Sequence, residues 1–337
     1  MWQLVGQDRA VTLLQRNLER GAVAHAYLMV GPPHVGKMTL ALELAQALNC
    51  EAAEPPCGEC DSCRKVAAGK HADVQVIGLD SGNSGDKTRT EISIEQVREM
   101  QHAANLPPFE GKCKVFIIDG AEMMSNEAAN CLLKTLEEPS AGVIFVLLTA
   151  NDSLLPTTVV SRCQRLELRP LPVPQIETVL SGRRGLESDR AGLLSRLCHG
   201  RLGWALTAAD DESLLERRAQ LLERLLEVIG GDNELRFDYA AQLATQFGQN
   251  RAAVREVLDL WLDWWRDLFL VKLGAGDAVT NIDHEAELDE MGWGYSLPQI
   301  RAFINSIQSA AEQLEQNANP RLALEVMMLS IPGRSAV

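Results

Sequence analysis

Gly31-Pro32-Pro33-His34-Val35-Gly36-Lys37-Met38 follows the phosphate-loop spacing G-x-x-x-x-G-K-[ST] up to its last position. In such a loop the backbone amides and the start of the following helix cradle phosphates, and Lys37 would reach the terminal ones. Gly31, Gly36 and Lys37 are therefore candidate nucleotide-binding residues. The last position should offer a hydroxyl to Mg²⁺, but Met38 stands there. A thioether is a weak acceptor and a poor ligand for a hard cation that takes oxygen. The loop carries a nucleotide-binding ancestry, and its final residue argues against catalysis by this copy.

A second motif, Lys114-Val115-Phe116-Ile117-Ile118-Asp119-Gly120-Ala121-Glu122, has the form of an apolar strand ending in an acid. Asp119 is placed as a Walker B carboxylate that would help hold Mg²⁺. A hydrolysing site of this type needs Glu next, to polarise the attacking water, and Gly120 has no side chain to do so. Glu122 follows two residues later, where a substitute role cannot be assumed. The plain alternative is a structural Asp at a strand end.

Cys50, Cys57, Cys60 and Cys63 form C-x6-C-x2-C-x2-C, with Pro55, Pro56, Gly58 and Asp61 among them. Close-set thiolates in turn-rich sequence suit tetrahedral zinc, and four ligands leave no open catalytic position. A redox pair or an iron–sulfur cluster is the alternative; structural zinc is the reading adopted. The other four cysteines, Cys113, Cys131, Cys163 and Cys198, read as core thiols. Ser161-Arg162-Cys163 read alone makes Arg162 a surface ion-pair residue. Trp261, Trp264 and Trp265 read as helix core rather than a base-stacking platform.

Short apolar, β-branched runs at Ala26–Val30, Val74–Leu79, Val115–Ile118 and Val143–Leu148 predict buried strands. Helix signals lie between them: Leu40, Leu44 and Leu48 after Lys37, a capping box at Ser93-Ile94-Glu95-Gln96, and a Ser125 cap ahead of Leu132 and Leu136. Strands alternating with helices predict a mostly parallel α/β sheet covered on both faces. At Pro170–Pro174 the pattern breaks, and everything after it reads helical. Ser213-Leu214-Leu215-Glu216 predicts a capped helix stopped by Gly230-Gly231. A broad apolar face from Val254 to Leu268 stops at Gly274, and final helices run from Pro298 to Leu329 with a break near Asn319-Pro320. Ser81–Asp86 reads as a polar loop.

The 337 residues allow two or three domains, and 46% hydrophobic with 23% charged residues is a globular composition. A net charge of −14 argues against a chain that grips nucleic acid by itself. No apolar run reaches the roughly 18 residues of a membrane span, and the first residues lack a signal peptide's basic start and apolar core. No membrane partner is expected, and a cytoplasmic location is.

Taken together, these residues resemble the AAA+ clamp-loader family. The resemblance runs nearly end to end, through Val5-Gly6-Gln7, His25-Ala26-Tyr27-Leu28, the phosphate loop and the four cysteines. It continues through Asn130-Cys131-Leu132-Leu133-Lys134-Thr135-Leu136-Glu137-Glu138-Pro139, Ser161-Arg162-Cys163 and the tail Asn317–Glu325. It implies an AAA+ core over residues 1–166 with a zinc module at about 50–63, a helical lid over 167–208 and a helical collar that oligomerises over 209–337. It further implies that Arg162 is an arginine finger acting in trans on a neighbour's ATP site and that Thr149 holds the sensor 1 position. The sensor 2 position, an Arg in motor subunits, falls at Gly203.

Met38, Gly120 and Gly203 set the chain apart from the hydrolysing members. Structural zinc is the expected resident group, and binding of ATP with Mg²⁺ by this chain is disfavoured. The partners implied are gamma or tau motor subunits and a delta subunit, with the sliding clamp and primed DNA reached through the assembled complex. The resemblance thus implies a non-hydrolysing scaffold subunit. The alternatives are a motor ATPase of the same family and a zinc-stabilised DNA-binding protein.

Overall fold

The computed structural model describes residues 2–79, 91–316 and 318–333. The segment Ser81–Asp86, read as a polar loop, and Asn317 lie outside them. The chain divides into two compact units, Met1–Ile176 with His199–Trp204, and Glu177–Cys198 with Ala205–Val337. The expected lid segment, 167–208, is shared between the two.

The first unit is built on five parallel strands: β1 (Ala26–Val30), β2 (Val74–Ile77), β3 (Lys114–Asp119), β4 (Val143–Thr149) and β5 (Gln164–Glu167). Their order is β2-β3-β4-β1-β5. The central strands β1 and β4 are buried at every position, which is why each reads as one unbroken apolar run. The edge strand β5 was not foreseen, because Leu166 is its one buried residue and the rest is polar.

Among the described residues six α-helices accompany the sheet: α1 (Asp8–Glu19), α2 (Lys37–Asn49), α3 (Asp61–Ala67), α4 (Ile94–Ala104), α5 (Asn126–Glu137) and α6 (Thr157–Val160). Side chains alternate across a strand, so β1 sends Tyr27 and Met29 into one apolar cluster and Leu28 and Val30 into the other. The first cluster holds Leu14 of α1 with Leu40 and Leu44 of α2. The second holds Val97, Leu132, Leu136 and Val159 from α4, α5 and α6. Both faces are covered, as the alternation of elements predicts. The Ser93 capping box forms, and Ser125 Oγ accepts the Ala128 N–H at 3.1 Å.

The remaining described residues form helices: α7 (Val173–Arg184), α8 (Ser188–Leu197), α9 (Leu202–Asp210), α10 (Ser213–Gly230), α11 (Asn233–Gln249), α12 (Arg251–Lys272), α13 (Glu285–Trp293), α14 (Leu297–Glu315) and α15 (Pro320–Leu329). Trp261, Trp264 and Trp265 of α12 have no exposed surface, so the core reading holds. Trp265 packs on Phe303 and Tyr295, with ring centroids 4.7 Å and 5.1 Å away. One capping prediction fails. Ser213 is already the first residue of α10 and caps nothing; its own N–H donates to Asp211 Oδ1 at 3.0 Å. Helix α13, between the Trp face and α14, was also unforeseen. Among the described residues no helix is long and apolar enough to cross a membrane.

Candidate functional site

The phosphate loop leaves β1 at Gly31, whose N–H donates to Thr149 O at 3.1 Å, and enters α2 through Gly36, its N-cap. The ends of β1, β3 and β4 thus bring Gly31, Asp119 and Thr149 to one side of the sheet. Within this frame Lys37 turns back on its own loop. Its Nζ donates to Gly31 O and, at 2.9 Å, to Pro32 O. Burial pushes its ammonium below the ordinary lysine range, and Glu122 and Asp119 pull it partly back. Met38 packs its side chain against the apolar cluster of α1 and α2. Where the motif would place a hydroxyl, the chain has a half-buried thioether lying against the core.

The other two departures are fixed in the backbone. Gly203 N–H donates to His34 O at 2.9 Å, and a Cβ on Gly203 would stand 2.8 Å from that same oxygen. Position 203 is therefore closed to a side chain, which the sequence alone did not reveal. Gly120 has φ +73°, a left-handed conformation that a Glu side chain takes only with strain. Glu122 turns toward the end of β4, where its Oε1 accepts the Ala150 N–H at 3.0 Å while its buried Oε2 has no partner among the described residues. The Thr149 hydroxyl is engaged in its own turn, donating to Asn151 O and accepting Asn151 N–H, both at 3.1 Å. His34 is held below the usual histidine value by burial, then by the charges of Arg201 and Lys37. Arg201 at the loop is a second feature that no motif pointed to.

The four cysteines of the expected module converge, with all four Sγ within 4.8 Å of one another. Cys57 and Cys63 sulfurs are 3.9 Å apart, and those of Cys50 and Cys60 are 4.0 Å apart. Four thiolates about 2.3 Å from a shared zinc stand roughly 3.8 Å from each other, so the donor set fits that ion. The amides of Cys60 and Cys63 point at sulfurs, with N···S of 3.3 Å to Cys57 and 3.4 Å to Cys60. Amide donors, that of Cys60 foremost, lower the Cys57 thiol to about 6, whereas burial pushes Cys63 up to about 12. The module is fastened to the sheet unit by Gln46 Nε2, 3.0 Å from Cys63 O, by Lys112 Nζ on Cys50 O, and by the Lys65–Glu110 pair at 2.6 Å.

Arg162 follows α6. Its Nη1 donates to Thr158 O at 2.8 Å and its Nη2 to the Glu137 carboxylate, with the side chain one-third exposed. The surface ion pair read from the residues is present. Its partner, at the end of α5, was not foreseen, because a contact 25 positions apart leaves no periodic trace.

A family model described as DNA polymerase III, delta subunit, matches residues 6–172. The chain is 27% identical to DNA polymerase III subunit delta' of Bacillus subtilis over 326 residues, covering 96% of each. It is 39% identical over 214 residues to DNA polymerase III subunit tau of Salmonella typhimurium, covering 61% of this chain and 32% of that protein. This chain thus spans about a third of the length of that relative. Among solved structures, a DNA polymerase III gamma subunit-related protein of Thermotoga maritima aligns at 19% identity over 97% of this chain and 98% of that one, with a TM-score of 0.46. The chain belongs to the clamp-loader family of DNA polymerase III.

Proposed function

We propose that this chain is the non-hydrolysing, delta prime-type subunit of a clamp loader, acting on a neighbour's nucleotide rather than its own. The observation that carries the reading is the departure of its own site at three places: Met38 half-buried against the core cluster, Gly120 left-handed, and Gly203 against His34 O. An ATPase needs a metal hydroxyl and a water-orienting carboxylate at the first two. Arg162, by contrast, has guanidinium donors to spare and stands partly in solvent. Such a group stabilises charge on a transferring phosphoryl group and can be essential where its own subunit is inert.

The subunit would join gamma or tau motor subunits and a delta subunit in the cytoplasm, and reach the sliding clamp and primed DNA through that complex. Residues 167–208 would serve as lid and 209–337 as collar. Leu322, Val326 and Leu329 of α15 lie exposed on one helical stripe, which supports association there. Cys50, Cys57, Cys60 and Cys63 would hold a structural zinc that supplies folding energy and no open coordination site. Thr149 would keep the sensor 1 place, with Gly31, Gly36, Lys37 and Asp119 as a degenerate nucleotide site.

A motor role is the second reading, favoured by the 39% identity to a tau subunit. Steady-state ATP hydrolysis by the isolated chain decides between them. The scaffold reading predicts background rates, and turnover abolished by Lys37→Ala would establish the motor. The net charge of −14 disfavours the third possibility, a chain that binds DNA unaided.

A further inference from the structure

We propose that Glu137 is the positioning residue for Arg162, holding its guanidinium in the orientation in which it meets a neighbouring subunit's triphosphate. This rests on the reading of Arg162 as a trans-acting finger.

The geometry is a two-point tether. Arg162 Nη2 donates to the Glu137 carboxylate and Nη1 to Thr158 O at 2.8 Å. Each acceptor sits beside a deeply buried apolar anchor. Glu137 follows Leu136, the last buried residue of α5, and Thr158 precedes Val159, the buried residue of α6. Leu136 and Val159 belong to the same core cluster, so the two tether points are held by one packed body. An arginine side chain loses much rotamer freedom when it is fixed on a ligand, and the tether removes part of that freedom in advance.

The tether also leaves the fork available. A guanidinium carries five N–H donors, and this one spends two, leaving Nε–H and one hydrogen on each terminal nitrogen. A planar fork held through some donors can still bind phosphate through the others. Arg165, three residues on, is arranged differently. Its guanidinium lies 2.6 Å from Asp152 and 3.5 Å from Glu167, so two carboxylates surround its charge. Arg162 has one carboxylate and one neutral carbonyl, so its charge is less fully compensated. Glu137 is itself about half exposed, and such a pair is weak enough in water to share its cation with a triphosphate. A latch that parks Arg162 away from the neighbour would use the same contact and predicts the opposite sign.

The test is DNA-stimulated ATP hydrolysis by a complex reconstituted with tau and delta subunits, with equal assembly checked by native mass spectrometry. The chain carries Glu137→Ala, Glu137→Gln, Arg162→Ala or the Glu137→Ala/Arg162→Ala pair. Positioning predicts that Glu137→Ala lowers kcat on the order of 10-fold, with a smaller change in KM for ATP. Glu137→Gln should recover part of the loss, because its amide oxygen still accepts from Nη2. In the Arg162→Ala background, Glu137→Ala should add nothing. A kcat that is unchanged or raised in Glu137→Ala while Arg162→Ala is slow overturns the positioning role alone, as does a fully additive double variant. An unchanged rate with Arg162→Ala overturns the finger reading, and the positioning role with it.

Discussion

Lys37 and Arg162 lie in the same unit, and each is a cation of the kind that binds phosphate. Lys37 is folded back on Gly31 O and Pro32 O, partly buried, with its ammonium below the usual range. Arg162 is tethered on one carboxylate and one carbonyl and keeps a third of its side chain in solvent. Around Lys37 the chain packs inward: half-buried Met38 lies against the core cluster and Gly203 against the loop carbonyl. Around Arg162 it has kept charge at the surface. One such cation of the unit is turned inward while the other is directed outward.

The four-cysteine module, proposed to hold zinc, offers the largest perturbation that should separate the two regions. Release of a structural zinc from four thiolates would forfeit on the order of 10 kcal/mol of binding free energy at neutral pH. Cys50 caps the C-terminal end of α2, the helix that Lys37 begins, whereas Glu137 and Thr158 belong to α5 and α6. Elemental analysis should give about one zinc per chain. Chelation followed by hydrogen exchange should then expose residues 50–67 and 110–113 while 157–163 keep their protection. Loss of protection at both places would mean that the regions are not independent.

Restoring the missing groups should have a smaller effect, and a negative one. Gly203→Arg forces a side chain onto His34 O and should destabilise the fold by about 1–3 kcal/mol in denaturant melts. Combined with Met38→Thr and Gly120→Glu it should still give no ATP turnover by the isolated chain. Turnover at full stability would show that only side chains were lost.

The smallest effect concerns His34. Its value is lowered, by burial first and then by Arg201 and Lys37, so the folded state binds fewer protons there than the unfolded chain. Stability from this group is therefore lost as pH falls from the ordinary value of 6.5 through the lower folded one. In an NMR titration Arg201→Gln should raise the His34 midpoint part of the way, since burial remains. A midpoint that ignores Arg201 would contradict the charge contribution.

Much of this was legible in the sequence, because the signals were local. The strands β1 and β4 announce themselves as apolar runs, the Ser93 box and Ser125 cap fix helix starts, and four close-set cysteines imply their own convergence. Met38 and Gly120 could be read as losses from spacing alone. Other features depend on contacts distant in sequence. Gly203 looks like a missing arginine until His34 O is found 2.9 Å from its amide. Glu137 sits in a helix-end motif with nothing to tie it to Arg162. The Ser213 box misled because Asp211 accepts the Ser213 N–H that Glu216 would take in a capping box, and the helix starts one residue early.

As the proposed scaffold subunit, this chain would exert its phosphate chemistry on a neighbour. The direct measurement is DNA-stimulated ATP hydrolysis by the reconstituted complex, comparing Arg162→Ala with Lys37→Ala in this chain. Loss of a trans finger costs on the order of 10³-fold at the affected site, and less in the total rate because other motor sites keep their neighbours. The account predicts a slower complex with Arg162→Ala and an unchanged one with Lys37→Ala. A complex slowed by Lys37→Ala and indifferent to Arg162→Ala would contradict it.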